Sequence, residues 1–351
     1  MIPMVKARLK LEADVLGLLL LCIGISAFIF MPLAGALVQR FGCKKVVITG
    51  ATLMALISVL LSCLQNIWSY AIALAFFGAV MGATDVSMNT NAVIVEKLAG
   101  RRLLSGMHAF WSIGCFASAG LFSVLASSGS NVTLIATLHC AIVLALLAVF
   151  GRHLLDYKSP GSEKACAIPR GIVIVLGILA CISFLVEGAV MDWSGVLLTE
   201  VKNMDIALAG TGYAIFSVAM LIMRLLGDKT VQFLGEQKAV IGGSIVTAAG
   251  FALVVVLDNL YLNAFAFILI GLGCANIVPV FYSLLKYQKG MPISAAVTSV
   301  TSLGYTGVIL GPALLGFVAH GINISAVFEL VALLLVIEAG IAKYVFCKLK
   351  M

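Results

Sequence analysis

Residues Gly78–Glu96 read GAVMGATDVSMNTNAVIVE. The stretch sits inside a long apolar run, yet it carries Asp85, Ser87, Asn89, Thr90 and Asn91. An ionisable side chain in hydrocarbon costs roughly 2.5–3.5 kcal/mol on insertion scales, so it normally faces a polar interior or a water-filled path. Asp85 and Asn89 are one helical turn apart and share a face. Such a face needs other helices around it.

The rest of the chain supplies them. Of its 351 residues 62% are hydrophobic and 11% charged, against about 25% charged in a soluble domain. No soluble core could hide that much apolar surface, so the class is an all-α polytopic membrane protein with the lipid bilayer as its solvent. The net charge of +7 is the Lys/Arg bias of membrane loops rather than a nucleic-acid footprint, because no basic run is long enough. Nine scattered cysteines include no Cys-x-x-Cys pair; they read as small buried hydrophobes, with no metal site. No Walker loop, dinucleotide-binding glycine loop or His-Glu-x-x-His occurs, so neither enzyme chemistry nor a cofactor is expected.

Eleven transmembrane helices are expected, near 14–38, 46–64, 69–95, 104–127, 132–152, 170–200, 206–226, 238–257, 261–286, 293–319 and 323–346. Each holds about 20 residues or more, enough to cross ~30 Å. The longest break, Leu154–Ile168, reads LLDYKSPGSEKACAI. It divides an N-terminal bundle of five helices (1–153) from a C-terminal bundle of six (170–351), with 154–169 as a central loop. Most loop Lys and Arg fall on alternate breaks, among them Arg40, Lys44, Lys97, Arg152, Arg224, Lys286 and Lys348. Those breaks are expected to be cytoplasmic, with the N-terminus outside and the C-terminus inside.

Residues Gly35–Lys45, GALVQRFGCKK, resemble the cytoplasmic loop signature of the major facilitator superfamily, matched at Gly35, Arg40, Gly42, Lys44 and Lys45. Gln39 stands where that signature usually has Asp. A weaker echo, RLLGDKTVQFLGEQK (Arg224–Lys238), suggests an internal repeat. Three stretches are similar to the MosC-like group, related to the fucose permease type: GATDVSMNTNAVIVE (Gly82–Glu96), SGMHAFWSIG (Ser105–Gly114) and VEGAVMDWSGVLL (Val186–Leu198). The resemblance implies the major facilitator fold, two helical bundles holding the family's second to twelfth helices. It further implies movement of a small solute, a sugar or polyol among relatives, by alternating access as a proton symporter in the cell inner membrane. An upstream start codon or a truncated gene is the expected reason for the missing first helix. A proton-coupled efflux protein for amphipathic compounds and a non-transporting truncated member fit the same residues.

On this reading Asp85 carries the coupling proton, since the fucose permease type has an acidic residue in the matching helix; its alternative is a structural carboxylate. Glu187 is a possible partner, deeper in its helix than Asp192. Asn89, His108, Trp111, Asn276 and Tyr282 are candidate solute contacts. His108 and Trp111 share a face, and Trp is a plate on which a sugar-like ring stacks. Pro279, in GLGCANIVPVFYSLL (Gly271–Leu285), removes one backbone hydrogen bond and can kink its helix beside Asn276 and Tyr282. Asp192 and Trp193 are candidates for an outer gate or an interfacial marker. Packing is the competing explanation for each. The protein is expected to act as a monomer.

Overall fold

The computed structural model describes residues 13–158, 168–204 and 210–349. The N-terminal stub with Lys6, Arg8 and Lys10, and the middle of the central loop with Pro160 and Gly161, lie outside the described residues. Every regular element among the described residues is helical. In chain order these are α1 (Ala13–Phe41), α2 (Cys43–Cys63), α3 (Ile67–Ala99), α4 (Leu104–Ser127), α5 (Val132–Phe150), α6 (Ile172–Val196), α7 (Thr211–Leu234), α8 (Glu236–Val256), α9 (Leu260–Cys274), α10 (Ile277–Leu284), α11 (Ile293–Gly321) and α12 (Ile324–Leu349). A short 3-10 turn, Gly151–His153, follows α5, and a π turn, Leu197–Val201, extends α6.

Among the described residues ten helices are long and apolar enough to cross a membrane. The broken pair α9–α10 counts as one of them, Leu260–Leu284. The expected eleventh span, near 206–226, corresponds to α7, a 24-residue helix that carries Arg224, Asp228 and Lys229 and is not among the ten. Large apolar side chains stand exposed around the helices, for example Trp68, Phe110, Phe233 and Phe317. A hydrocarbon solvent favours that arrangement, because lipid tails are as apolar as the side chains.

Helix ends are closed by local chemistry. Asn66, Asn131, Asn259 and Asn323 each accept a backbone N–H from the first turn of α3, α5, α9 and α12, at 2.8–2.9 Å. Asparagine at this position satisfies donors that no helix can satisfy itself. Two of the other ends use glycine. Gly42, between α1 and α2, has φ 86° and ψ 152°; Gly235, between α7 and α8, has φ 82° and ψ 155°. Both donate their N–H to the residue four back, Val38 and Val231, at 2.9 Å. The two loops that echo one another in sequence therefore share one backbone conformation, which side chains other than glycine rarely adopt.

The chain forms two compact units. Of the described residues, one takes those within Met1–Val95, Ile113–Ile168 and Met291–Thr298, and the other those within Glu96–Ser112, Pro169–Gly290 and Ser299–Met351. In the first, Leu19, Ile57, Leu61, Tyr70 and Leu74 make a core shared by α1, α2 and α3. Gly78 and Gly82 lie on consecutive turns of α3, and a Cβ on Gly82 would sit 2.6 Å from the Ala27 carbonyl oxygen of α1. Small residues four apart permit that backbone approach. In the second unit α8 packs on α9 and α12, with the Phe251 and Phe328 rings 5.7 Å apart.

Candidate functional site

The polar side chains that decided the fold class are mostly satisfied close to home. Thr84, Ser87 and Thr90 donate to the carbonyl four residues back on α3, at 2.7–2.8 Å. Asn89 donates to the Asp85 carbonyl oxygen at 3.0 Å, and Asn91 to the Leu155 carbonyl oxygen at 2.7 Å. Back-bonding of this kind lets hydroxyls and amides sit in an apolar helix without a partner helix. The Asp85 carboxylate is the exception. It is half-buried, makes no ion pair among the described residues, and has the Asn89 amide as its hydrogen-bonding neighbour. Sequence spacing placed those two on one face, and the structure keeps them there.

The second unit holds a different centre. Glu187 on α6 and Arg224 on α7 form an ion pair, with Arg224 Nη2 donating to Glu187 Oε1 at 3.0 Å. The Arg224 side chain is 8% exposed and that of Glu187 27%, so the pair is open only on the carboxylate side. Arg224 Nη1 donates to Ser112 Oγ on α4 at 3.4 Å, and Nε to the Ala275 carbonyl oxygen at 3.3 Å. Ala275 O is free for that role because Pro279, four residues on, has no N–H to give it. Where a kink is expected the structure has a break: α9 ends at Cys274 and α10 begins at Ile277. Its consequence is a carbonyl offered to a guanidinium.

By sequence Arg224 counts among the loop cations. The structure corrects this: it lies within α7, buried and paired. The thirteen residues before it, Thr211–Met223, carry no charge, but Asp228 and Lys229 follow closely, so the local pattern by itself fits a helix end.

His108 stacks on Tyr282, ring centroids 6.0 Å apart, and lies close enough to Arg224 to feel its charge. Its Nε2 is buried with no hydrogen-bond partner among the described residues. Tyr282 is itself held by Thr301, oxygen to oxygen 2.8 Å. Asn276 is buried beside the helix break, its Oδ1 also without a partner and lying against Gly227, where a Cβ would collide with it. Of the expected solute contacts, then, His108, Tyr282 and Asn276 gather in the unit that holds Glu187. Trp111 does not join them; it is 57% exposed. Asp192 is exposed, and Trp193 is half-buried with its indole N–H unpartnered among the described residues.

Among the loop-motif residues, Gly42 supplies the left-handed turn described above. Lys44 Nζ donates to the Arg152 carbonyl oxygen at 2.8 Å, and Arg40 lies 5.2 Å from the Phe41 ring centre. Lys45 is exposed, and Gly35 is half-buried. In the echo of this loop Asp228 does what sequence spacing alone did not indicate. Its two carboxylate oxygens accept the backbone N–H groups of Ser105 and Gly106, at 3.1 and 3.0 Å. Glu96 accepts those of Leu103 and Leu104, at 3.0 and 3.1 Å, and pairs with Lys286 at 3.0 Å. Two carboxylates thus hold four successive donors at the start of α4, where the helix dipole favours negative charge. A further pair, Arg102–Glu236 at 2.8 Å, adjoins them, since Lys286 Nζ also lies 3.9 Å from Glu236 Oε1.

The comparisons with known proteins agree with this architecture. Residues 1–304 match the model of the family described as Major Facilitator Superfamily. An uncharacterised MFS-type transporter of Yersinia pestis is 40% identical over 98% of this chain and 90% of its own length. The membrane protein MosC of Rhizobium meliloti is 28% identical over 97% of this chain and 82% of its own length. Among solved structures, the Escherichia coli fucose:proton symporter superposes with a TM-score of 0.75 at 15% identity, over 97% of this chain and 93% of that one. The chain is a multi-pass α-helical membrane protein that belongs to the major facilitator superfamily of transporters.

Proposed function

We propose that this protein is a secondary transporter that moves a small polar solute by alternating access and draws its energy from protons. The observation that carries the reading is the Glu187–Arg224 pair beside the unpartnered His108 nitrogen. A buried ion pair contributes little net stability, because the attraction barely offsets the cost of taking both charges out of water. Charges kept inside an apolar bundle are better explained by a solute or ion that uses them. Asp85 is the coupling carboxylate in this reading, since it has no ion-pair partner among the described residues, and Glu187 is the second proton carrier. His108, Tyr282 and Asn276 contribute to solute contact.

A neutral sugar or polyol is a cargo compatible with this site, by analogy with the fucose:proton symporter. The loop charges support a cell inner membrane location with the C-terminus cytoplasmic and the N-terminus outside. The protein works as a monomer on this account.

Uptake into proteoliposomes tests the proposal. With an inward proton gradient the purified protein should concentrate its solute. Asp85→Asn should abolish that accumulation while leaving exchange of solute across the membrane intact. Undiminished uphill uptake by the Asp85→Asn protein would remove Asp85 from the mechanism.

A further inference from the structure

We infer that the solute is a small organic anion, held through a carboxylate by Arg224 and bound together with a proton on Glu187. This rests on the transporter reading above and names the chemistry of its cargo. The argument begins with charge. Glu187 and Arg224 sum to zero, so adding an anion to the pair as it stands would leave one uncompensated negative charge in a low-dielectric bundle, which is strongly disfavoured. Moving a proton onto Glu187 removes that obstacle. Its carboxylate becomes a neutral acid, the guanidinium loses its partner, and the solute carboxylate takes the vacated position. The total charge is unchanged: one anion and one proton enter together.

Geometry supports this exchange. Arg224 is pinned on two sides by Ser112 Oγ and the Ala275 carbonyl oxygen, so its planar fork stays in place when Glu187 lets go. A guanidinium matches a carboxylate with two parallel donors, which a hydroxylated neutral solute cannot reproduce. The pair is open on the Glu187 side, where a competitor must approach. The His108 Nε2 nitrogen is a further buried polar group awaiting a partner.

Among the described residues the ionisable groups around Glu187 are few. Arg224 faces it from α7, and Cys274 at the end of α9 feels both charges. His108 on α4 lies within reach of Arg224, with Tyr282 of α10 behind it. Glu338 on α12 is fully buried and already accepts from Ser183 at 2.6 Å and Ser244 at 3.3 Å. None of these offers Arg224 a second carboxylate, so Glu187 is the group with which an anion must compete.

The test uses the full-length purified protein and matched probes: gluconate with sorbitol, lactate with propylene glycol, and benzoate with benzyl alcohol. Binding is read by ligand-induced thermal stabilisation, and proton uptake by an indicator dye in weak buffer. At least one carboxylate should bind in preference to its neutral partner, taking up about one proton per anion, and by linkage its affinity should tighten as pH falls. Glu187→Gln should bind the same carboxylate without proton uptake and without pH dependence, because the Asp85 proton belongs to the later transport steps and not to solute binding. Arg224→Lys, which keeps the charge but not the fork, should weaken binding about a hundredfold. A native helical circular-dichroism spectrum and monodisperse elution show that the variant folds.

Three results overturn the inference. One is binding or transport of a neutral probe that equals its carboxylate partner and is indifferent to Arg224→Lys; the transporter reading then survives alone. Another is anion binding without proton uptake. The last is failure of every carboxylate to bind both the native protein at the lowest pH and Glu187→Gln. Conversely, anion binding with proton uptake but no flux into vesicles sinks the transporter reading and leaves this one standing.

Discussion

Glu96→Ala is expected to destabilise the protein by about 3–5 kcal/mol, the cost of removing one partner from a buried charged pair. Glu96 is 2% exposed. Its Oε1 accepts from Lys286 and its Oε2 accepts the Leu103 and Leu104 N–H groups. Alanine leaves an ammonium with a more distant carboxylate, Glu236 at 3.9 Å, and two backbone donors with none. Equilibrium unfolding in mixed micelles measures the loss. Amide hydrogen exchange locates it: Leu103 and Leu104 should exchange far faster, while Ser105 and Gly106, held by Asp228, should change less. Glu96→Gln keeps an acceptor for the helix start and gives up only the charge, so its effect should be clearly smaller. Equal losses in the two variants would show that the ion pair, not the backbone contacts, dominates at Glu96.

Gly273→Val is expected to cost about 3 kcal/mol, the upper end of the range for overpacking a filled interior. Gly273 of α9 and Gly243 of α8 face one another. A Cβ on Gly273 would lie 2.7 Å from the Gly243 carbonyl oxygen and 2.7 Å from the Thr247 nitrogen, and a Cβ on Gly243 would lie 2.5 Å from the Gly273 carbonyl oxygen. Backbone atoms cannot swing aside as a flexible side chain can. Gly271, two residues earlier, is pressed in the same way against the Phe216 carbonyl oxygen of α7. Helix α9 is therefore wedged between two backbones and has no direction in which to retreat. A thermal unfolding series of Gly273→Ala and Gly273→Val should show a graded loss. A Val variant as stable as the native protein would mean that the helices separate freely.

The same close packing explains which parts of the site could be read from the chain. Asp85 was visible because one carboxylate in an apolar run costs several kcal/mol and demands a reason. Pro279 was visible because proline must lose a helical hydrogen bond wherever it stands. Arg224 was misplaced because a cation near a helix end looks the same whether it reaches water or turns inward. Only the positions of Glu187, Ser112 and Ala275 distinguish the two. Asp228 and Glu96 were obscure for a related reason: their partners are backbone N–H groups of α4, and backbone donors have no sequence signature.

Composition and the spacing of apolar runs determined by themselves that this is a bundle of membrane-crossing helices, because lipid leaves the backbone few other ways to satisfy its polar groups. The glycines of the two echoing loops, Gly42 and Gly235, were equally local, since the left-handed turn belongs to the residue rather than to its neighbours. What only the tertiary structure decided was pairing. Charges from α6 and α7 meet beside a carbonyl freed on the next broken helix, and contacts between residues more than thirty positions apart depend on how helices pack, which no local pattern encodes.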